Sequence, residues 1–89
     1  DLSVQALAEK AAMSPRNFAR VYQRETQQSP ARAIAQLRLE AARRMLEETS
    51  HSIQQIARLA GFSDDESLRR TFVKAHGVAP LDYRSRFGR

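Results

Sequence analysis

The longest regular hydrophobic pattern of the chain lies in its middle. Residues 31–48 contain no Gly or Pro and consist mostly of strong helix formers, which predicts one uninterrupted helix after a cap at Ser29 and a first-turn proline at Pro30. At about 100° per residue, its apolar positions fall on two lines roughly 130° apart. One line contains Ile34, Leu37, Ala41 and Met45, and the other contains Ala35, Leu39, Ala42 and Leu46. A helix with two apolar faces is predicted to pack against two small bodies.

Two short amphipathic helices are predicted before this central helix. The first runs from Ser3 to Ala11, and the second starts with the N-cap pair Ser14 and Pro15 and ends near Glu25. Residues at helical spacing are predicted to face inward: Val4, Leu7, Ala8 and Ala11 in the first helix, and Phe18, Val21 and Tyr22 in the second.

A similar pair follows the central helix. Ser52 and Gln55 have capping-box spacing at the start of a helix that ends at Ala60, and Gly61 breaks the pattern. Ser63 is predicted to cap the next helix, which Gly77 closes as the C-terminal cap. Inward positions are Ile53, Ile56, Ala57 and Ala60, then Leu68, Thr71, Phe72 and Ala75. A last short helix begins at Pro80, with Leu81, Tyr83 and Phe87 predicted to face inward.

These two pairs are copies of one sequence. Residues 3–14 match 52–63 at an offset of 49, and residues 18–30 match 68–80 at an offset of 50, with one residue inserted within Asp64–Ser67. Two helices joined by a short break are typical of the helix-turn-helix, whose second helix enters the major groove of DNA. The predicted fold is all-α, a tandem homeodomain-like arrangement with subdomains at 1–30 and 49–89 joined by the helix at 31–48.

Composition supports a basic, compact domain. The 89 residues include 15 Lys plus Arg against 10 Asp plus Glu, a net charge of +5, and all the bases except Lys10 and Lys74 are arginines. Arginine is suited to phosphates and guanine edges. Cysteine is absent, which excludes disulfides and thiolate sites, and His51 and His76 are isolated in the sequence. We therefore expect no metal, no cofactor and no catalytic site. With no apolar run approaching ~20 residues and no visible signal peptide, we also expect a soluble segment.

The second helix of each copy has an outward polar surface on which base-contacting residues are predicted. The candidates are Arg16, Asn17 and Arg20 in the first copy, and Asp65, Glu66, Arg69 and Arg70 in the second. Candidates for contacts with the DNA backbone are Ser14, Arg24, Ser63 and Lys74. Each arginine could instead contact a phosphate or be a solvated surface residue. Arg38 lies between the apolar lines, where we expect a structural ion pair or helix-end contact.

The two acidic candidates have several interpretations. A carboxylate can accept a hydrogen bond from cytosine N4. Ser63 and Glu66 also have capping-box spacing, and Asp64 and Asp65 suit the positive end of a helix dipole. A third interpretation is that an acid holds Arg69 or Arg70 in position through an ion pair.

Specific stretches resemble the DNA-binding region of AraC-type bacterial transcription regulators. They are RLEAARRML at 38–46 and SIQQIARLAGFSDDESLRRTFVKAHGVAPLDYR at 52–84, and the resemblance covers essentially the whole chain. The combination MSPRNFARVYQRET and DESLRRTF is most similar to the GlxA-like branch. The resemblance implies sequence-specific binding of double-stranded DNA, a further helix before Asp1, an upstream amidotransferase-like effector domain, and RNA polymerase as a partner.

The resemblance also implies particular base contacts. The matching positions are Arg16, Ala19 and Arg20 in the first copy, and Asp65, Glu66, Arg69 and Arg70 in the second. Ala19 departs from the larger polar residue usual at that position, so we do not assign it a contact. The alternative from a different class is a small helical protein-interaction module that meets an acidic partner through its basic surface.

Overall fold

The structure is a computed structural model that describes residues 3–89 of the chain, and the regular structure in this range is entirely helical. The six helices are α1 (Val4–Lys10), α2 (Pro15–Thr26), α3 (Pro30–Glu48), α4 (Ile53–Ala60), α5 (Asp65–His76) and α6 (Pro80–Phe87). The all-α fold, with a pair of short helices before and after a long central helix in the chain, is therefore confirmed. Each helix lies within two residues of its predicted bounds.

The chain forms two compact units, and α3 contributes to both of them. The first unit ends at Leu37 and the second covers Arg38–Arg89. In the first unit, Ala8 and Ile34 are buried, whereas Phe18 and Tyr22 of α2 are half-buried with ring centroids 5.8 Å apart. The first unit thus has a thin core, and α2 buries no residue completely.

The second unit has a larger core in which the two repeated helices and α3 meet. Its buried side chains are Ala42, Leu46, Ile56, Ala57, Ala60, Leu68 and Phe72. The ring of Tyr83 from α6 packs edge-on against Phe72, with centroids 5.4 Å apart. Complete burial of a Leu, Ile or Phe side chain contributes roughly 1.5–3 kcal/mol. This core is the main source of stability of the second unit.

Five residues that were predicted to face inward are exposed: Ala11, Leu37, Ala75, Leu81 and Phe87. In α6 the inward face is set by Pro80, Tyr83 and Arg84, which are buried or half-buried. Leu81 lies about 100° around the helix from Pro80 and falls off that face. Phe87 contacts the ring of Tyr83 at 4.8 Å but keeps 59% of its surface exposed. The prediction from hydrophobicity alone therefore gave the wrong inward-facing residues for α6.

The break between the paired helices is the same hydrogen-bonded turn in both copies. In the first, the amides of Ala12 and Met13 donate to the carbonyls of Glu9 and Ala8. In the second, Gly61 and Phe62 donate to Arg58 and Ala57. This is a Schellman motif, which requires a left-handed residue after the helix. Ala12 takes that conformation with φ 57°, and Gly61 takes it with φ 95°.

The helix after each break begins with a side-chain cap, and here one prediction was wrong. Ser14 caps α2 as predicted, accepting from the amide of Asn17 at 3.1 Å. In the second copy the cap is Asp64, whose carboxylate accepts from the amide of Ser67 at 2.7 Å, and Ser63 lies outside the helix. Since Asp is as good a cap as Ser, the position is decided by the length of the turn. The inserted residue is thus Ser63 and not one of Asp64–Ser67, as was predicted, and Ser63 and Glu66 do not form the predicted capping box.

Arg84 of α6 joins the end of α3 to the connector that follows it. Its guanidinium donates to the carbonyl oxygens of Leu46 at 3.2 Å, Thr49 at 3.1 Å and His51 at 2.7 Å. Carbonyls at a helix C-terminus have no partner within the helix, and a cation there is favoured by the dipole. Arg84 therefore stabilises the end of α3 and the connector between α3 and α4.

A polar network on α3 also reaches α6. Arg43 pairs with Glu40 and Glu47, and the hydroxyl of Tyr83 donates to Glu47. The Tyr83 hydroxyl and the Arg43 guanidinium hold the pKa of the Glu47 carboxyl below its usual value. The charge of Arg43 is thus used in contacts within the second unit.

The repeated turn offers a direct test of backbone strain. A non-glycine residue in the left-handed region destabilises the folded state by roughly 1–2 kcal/mol. Glycine removes this strain, but it also makes the unfolded chain more flexible, which offsets part of the gain in stability. We expect Ala12→Gly to raise the free energy of unfolding by about 0.5–1 kcal/mol. Urea unfolding followed by circular dichroism measures the change.

The equivalent residue in the other copy is the matched control. Gly61→Ala is expected to lower the free energy of unfolding by about 1–2 kcal/mol. Its new Cβ would also meet Nε of Arg38 at 3.0 Å. If Gly61→Ala left the free energy of unfolding unchanged, or if Ala12→Gly lowered it, the conclusion that both copies contain the same turn would be contradicted.

The corrected cap gives a second stability prediction. Asp64→Ala should lower the free energy of unfolding by about 0.5–2 kcal/mol, because the amide of Ser67 loses its acceptor. Ser63→Ala, one residue away, should change it by less than about 0.5 kcal/mol. Both variants can be compared by thermal and urea unfolding. If Ser63→Ala destabilised the protein more than Asp64→Ala, the cap would be Ser63, as predicted from the sequence.

Candidate nucleic-acid interface

The outward surface of α2 has a row of three arginines. Arg16, Arg20 and Arg24 are all exposed and follow one another at a spacing of four residues, which places them along one side of the helix. Asn17 lies beside this row, and its side-chain oxygen accepts from Nη2 of Arg20 at 2.8 Å. A neutral side chain thus orients Arg20 and leaves its charge uncompensated.

The start of α2 is favourable for an anion. Its cap is the hydroxyl of Ser14, its first helical residue is Pro15, and its first turn contains no acid. The positive end of a helix dipole attracts phosphate, and here no carboxylate of the first turn competes for it. The start of α2 and the exposed arginine row are therefore both favourable for an anion.

The outward surface of α5 has the same position in its helix pair but a different balance of charge. All five candidates on it are exposed: Asp65, Glu66, Arg69, Arg70 and Lys74. Glu66 and Arg69 form a two-contact ion pair, with Nη2 to Oε1 at 2.6 Å and Nε to Oε2 at 3.0 Å. This pairing lowers the pKa of the Glu66 carboxyl and raises the pKa of the Arg69 guanidinium. Of the three interpretations of the acids, the ion pair is the one that Glu66 shows.

The start of α5 is acidic where that of α2 is not. The Asp64 carboxylate caps the helix, and Asp65 and Glu66 occupy its first turn. Ser63 is exposed before the cap and contributes no capping contact. The dipole of α5 is thus already satisfied by the protein's own carboxylates, and a phosphate at its helix end would meet them.

Equivalent positions in the two copies therefore differ in chemistry. Arg20 corresponds to Arg70, but Ser14 corresponds to Asp64, and Arg16 corresponds to Glu66. The candidate arginines lie on exposed helix surfaces, as predicted. The cap at Asp64 and the contact between Asn17 and Arg20 were not predicted, although the spacing of three residues between Asn17 and Arg20 was a usable signal.

Other kinds of site have little support in the described residues. No group of three or more His, Asp or Glu side chains within residues 3–89 is arranged to hold a metal ion. A membrane-crossing helix is likewise not found in this range, since none is long and apolar enough. An open depression in the second unit is lined by Ile53, Gln54, Glu66 and Leu81, among others, and it borders the ion pair of α5.

Comparison with known proteins gives a consistent family. The profile of the helix-turn-helix domain matches residues 7–86. The HTH-type transcriptional regulator Rv1931c of Mycobacterium tuberculosis is 46% identical over 81 residues, which are 91% of this chain and 31% of that protein. The chain spans about a third of the length of the curated relatives that it matches.

Solved structures agree in fold. The DNA-binding domain of AdpA, solved with a target DNA, superposes with a TM-score of 0.89 at 31% identity, covering 98% of this chain and 78% of that one. A regulator with an AraC-type DNA-binding domain from Chromobacterium violaceum gives a TM-score of 0.81 at 29% identity, covering 96% and 76%. The chain belongs to the helix-turn-helix domain family, and within it to the AraC type.

Proposed function

We propose that this chain is the DNA-binding part of a bacterial transcription regulator and that it binds double-stranded DNA sequence-specifically. The observation that supports this most strongly is the duplicated helix pair, in which both second helices expose arginines at equivalent positions, Arg20 and Arg70. The AdpA domain, which has the same fold, was solved in complex with its target DNA. Major-groove entry by the second helix is the established geometry of this motif.

The proposed division of contacts follows the surfaces described above. Arg16, Asn17 and Arg20 on α2 contact bases, and Asp65, Arg69 and Arg70 on α5 contact bases with Glu66 beside them. An arginine can donate two hydrogen bonds to O6 and N7 of guanine, which discriminates by roughly 1–3 kcal/mol. The backbone contacts are assigned to Ser14, Arg24, Ser63 and Lys74. Two recognition helices of different composition favour an asymmetric site that spans successive major-groove segments, ~34 Å apart.

The rest of the regulator is proposed from the resemblance to the family. Since the chain spans about a third of its curated relatives, we expect an effector domain in the whole protein. The GlxA-like resemblance of MSPRNFARVYQRET suggests that this domain is amidotransferase-like. Transcription control implies RNA polymerase as a further partner and the bacterial cytoplasm as the location.

Selection of binding sites from random duplexes tests the proposal, followed by a salt titration on the selected duplex. We expect an enriched, asymmetric sequence and a much weaker affinity for random DNA, since specific binding is typically about 10³-fold or more tighter. An interaction module with a merely basic surface would bind weakly and without sequence preference. Failure to enrich any sequence would overturn the proposal.

Two variants of α5 separate base contact from backbone contact. Arg70→Ala should cost about 1–3 kcal/mol on the selected duplex and relax the preference at one base pair. Lys74→Ala should weaken binding to all sequences alike and reduce the salt slope by about 1. Equal losses on selected and random DNA for Arg70→Ala would refute its assigned role.

A further inference from the structure

We propose that Glu66 is a specificity-determining positioning residue, which holds Arg69 for base contact and keeps it from the phosphates. This inference rests on the proposed function and deepens it. It assigns general affinity mainly to α2 and selectivity mainly to α5. The observations behind it are the geometry of one ion pair, the charges around that pair, and the comparison with the corresponding surface of α2.

The ion pair uses only one edge of the arginine. A guanidinium has two edges that can each donate a pair of hydrogen bonds, one through Nε and Nη2 and the other through Nη1 and Nη2. Glu66 accepts from Nε at 3.0 Å and from Nη2 at 2.6 Å. The edge at Nη1 is left for a guanine, while the side chain is already held in one orientation. A held side chain loses less conformational entropy on binding.

The charges around Arg69 disfavour phosphate. Glu66 neutralises the arginine at contact distance, and Asp64 and Asp65 stand in the adjoining cap and first turn. Free arginine at this position would be attracted to any stretch of DNA backbone, independent of sequence. Paired arginine gains little from a phosphate and retains its hydrogen bonds to a correctly placed base. The ion pair therefore lowers the general affinity for DNA and raises the discrimination between bases.

The first unit supplies the contrast. On α2 the partner of Arg20 is the neutral Asn17, and the helix starts at a serine cap without an acid in its first turn. The oriented Arg20 keeps its full charge and can contribute to both phosphate attraction and base contact. The two helices thus share a fold and an oriented arginine, but only on α5 is the orienting group a carboxylate.

The pair has little structural importance, which makes it accessible to mutation. The side chains of Arg69 and Glu66 are 52% and 57% exposed. Exposed pairs of this kind contribute little to the stability of a fold. Replacing either side chain should therefore leave the melting temperature within about 2 °C of the wild type. Changes in DNA binding can then be assigned to the pair itself.

The experiment is a double-mutant cycle of Glu66→Gln and Arg69→Ala, measured on the selected duplex and on a random duplex over a range of salt. Glu66→Gln keeps the size of the side chain and removes its charge. We expect it to tighten binding to random DNA about three- to tenfold at low salt and to steepen the salt slope by up to about 0.9, the value for one new phosphate contact. The gain on the selected duplex should be smaller, so the ratio of the two affinities falls.

The Arg69→Ala background is the matched control, because Glu66→Gln removes the same charge there and has no arginine to release. In the Arg69→Ala background we expect Glu66→Gln to leave the ratio of the affinities for the selected and the random duplex unchanged. Glu66→Gln alone and Arg69→Ala alone should also relax the preference at the same base pair. This last result separates positioning from a general effect of charge, which would act on all sequences alike.

Three results would overturn the inference. An equal effect of Glu66→Gln in both backgrounds would mean that Glu66 acts by its charge or contacts a base itself. If Glu66→Gln left the ratio of the two affinities unchanged in the wild-type background, where Arg69 is present, the pair would have no role in selectivity. A wild-type protein that does not prefer the selected duplex would instead overturn the proposed function, and the inference with it, so the two failures are distinguishable.

Discussion

The helix-ending turn in each copy is the constraint on which the rest of the structure depends. One residue in the left-handed conformation, with two hydrogen bonds back across it, stops the first helix and redirects the chain into the recognition helix. Gly61 adopts this conformation without a Cβ, whereas Ala12 adopts it at a steric cost. The same hydrogen bonds form in both copies, so the duplication preserved geometry even where the residue type changed.

On this common scaffold the two recognition helices diverge at their starts. Ser14 leaves the beginning of α2 free of acid, and Asp64 puts a carboxylate at the equivalent place on α5. Phosphate affinity depends on charge, whereas base discrimination depends on oriented hydrogen bonds. The start of α2 therefore favours general affinity for DNA, and the start of α5 favours discrimination between bases. The asymmetry is electrostatic, and it arises from side chains that the turn geometry presents in the same way.

The sequence predicted the helices well because their bounds depend on local features. Serine caps, prolines at first-turn positions and residues at helical spacing act within a few residues of each other. The choice between Ser63 and Asp64 could not be predicted, since both are good caps and the length of the turn decides. Arg84 was missed because its partners lie more than 30 residues away, at the end of α3 and beyond it. Among the candidate site residues, exposure was predictable from periodicity for all except Asn17, which is half-buried. The pairing of Glu66 was only one of three interpretations.

The most direct test of the central claim is methylation interference at guanine N7 on the selected duplex, with one protein chain bound per site. N7 faces the major groove, so a methyl group there blocks a recognition helix directly. Two helices in successive major-groove segments predict two clusters of interfering guanines centred about 10 base pairs apart, each containing different bases. A single cluster, or no interference from N7 methylation, would contradict the account.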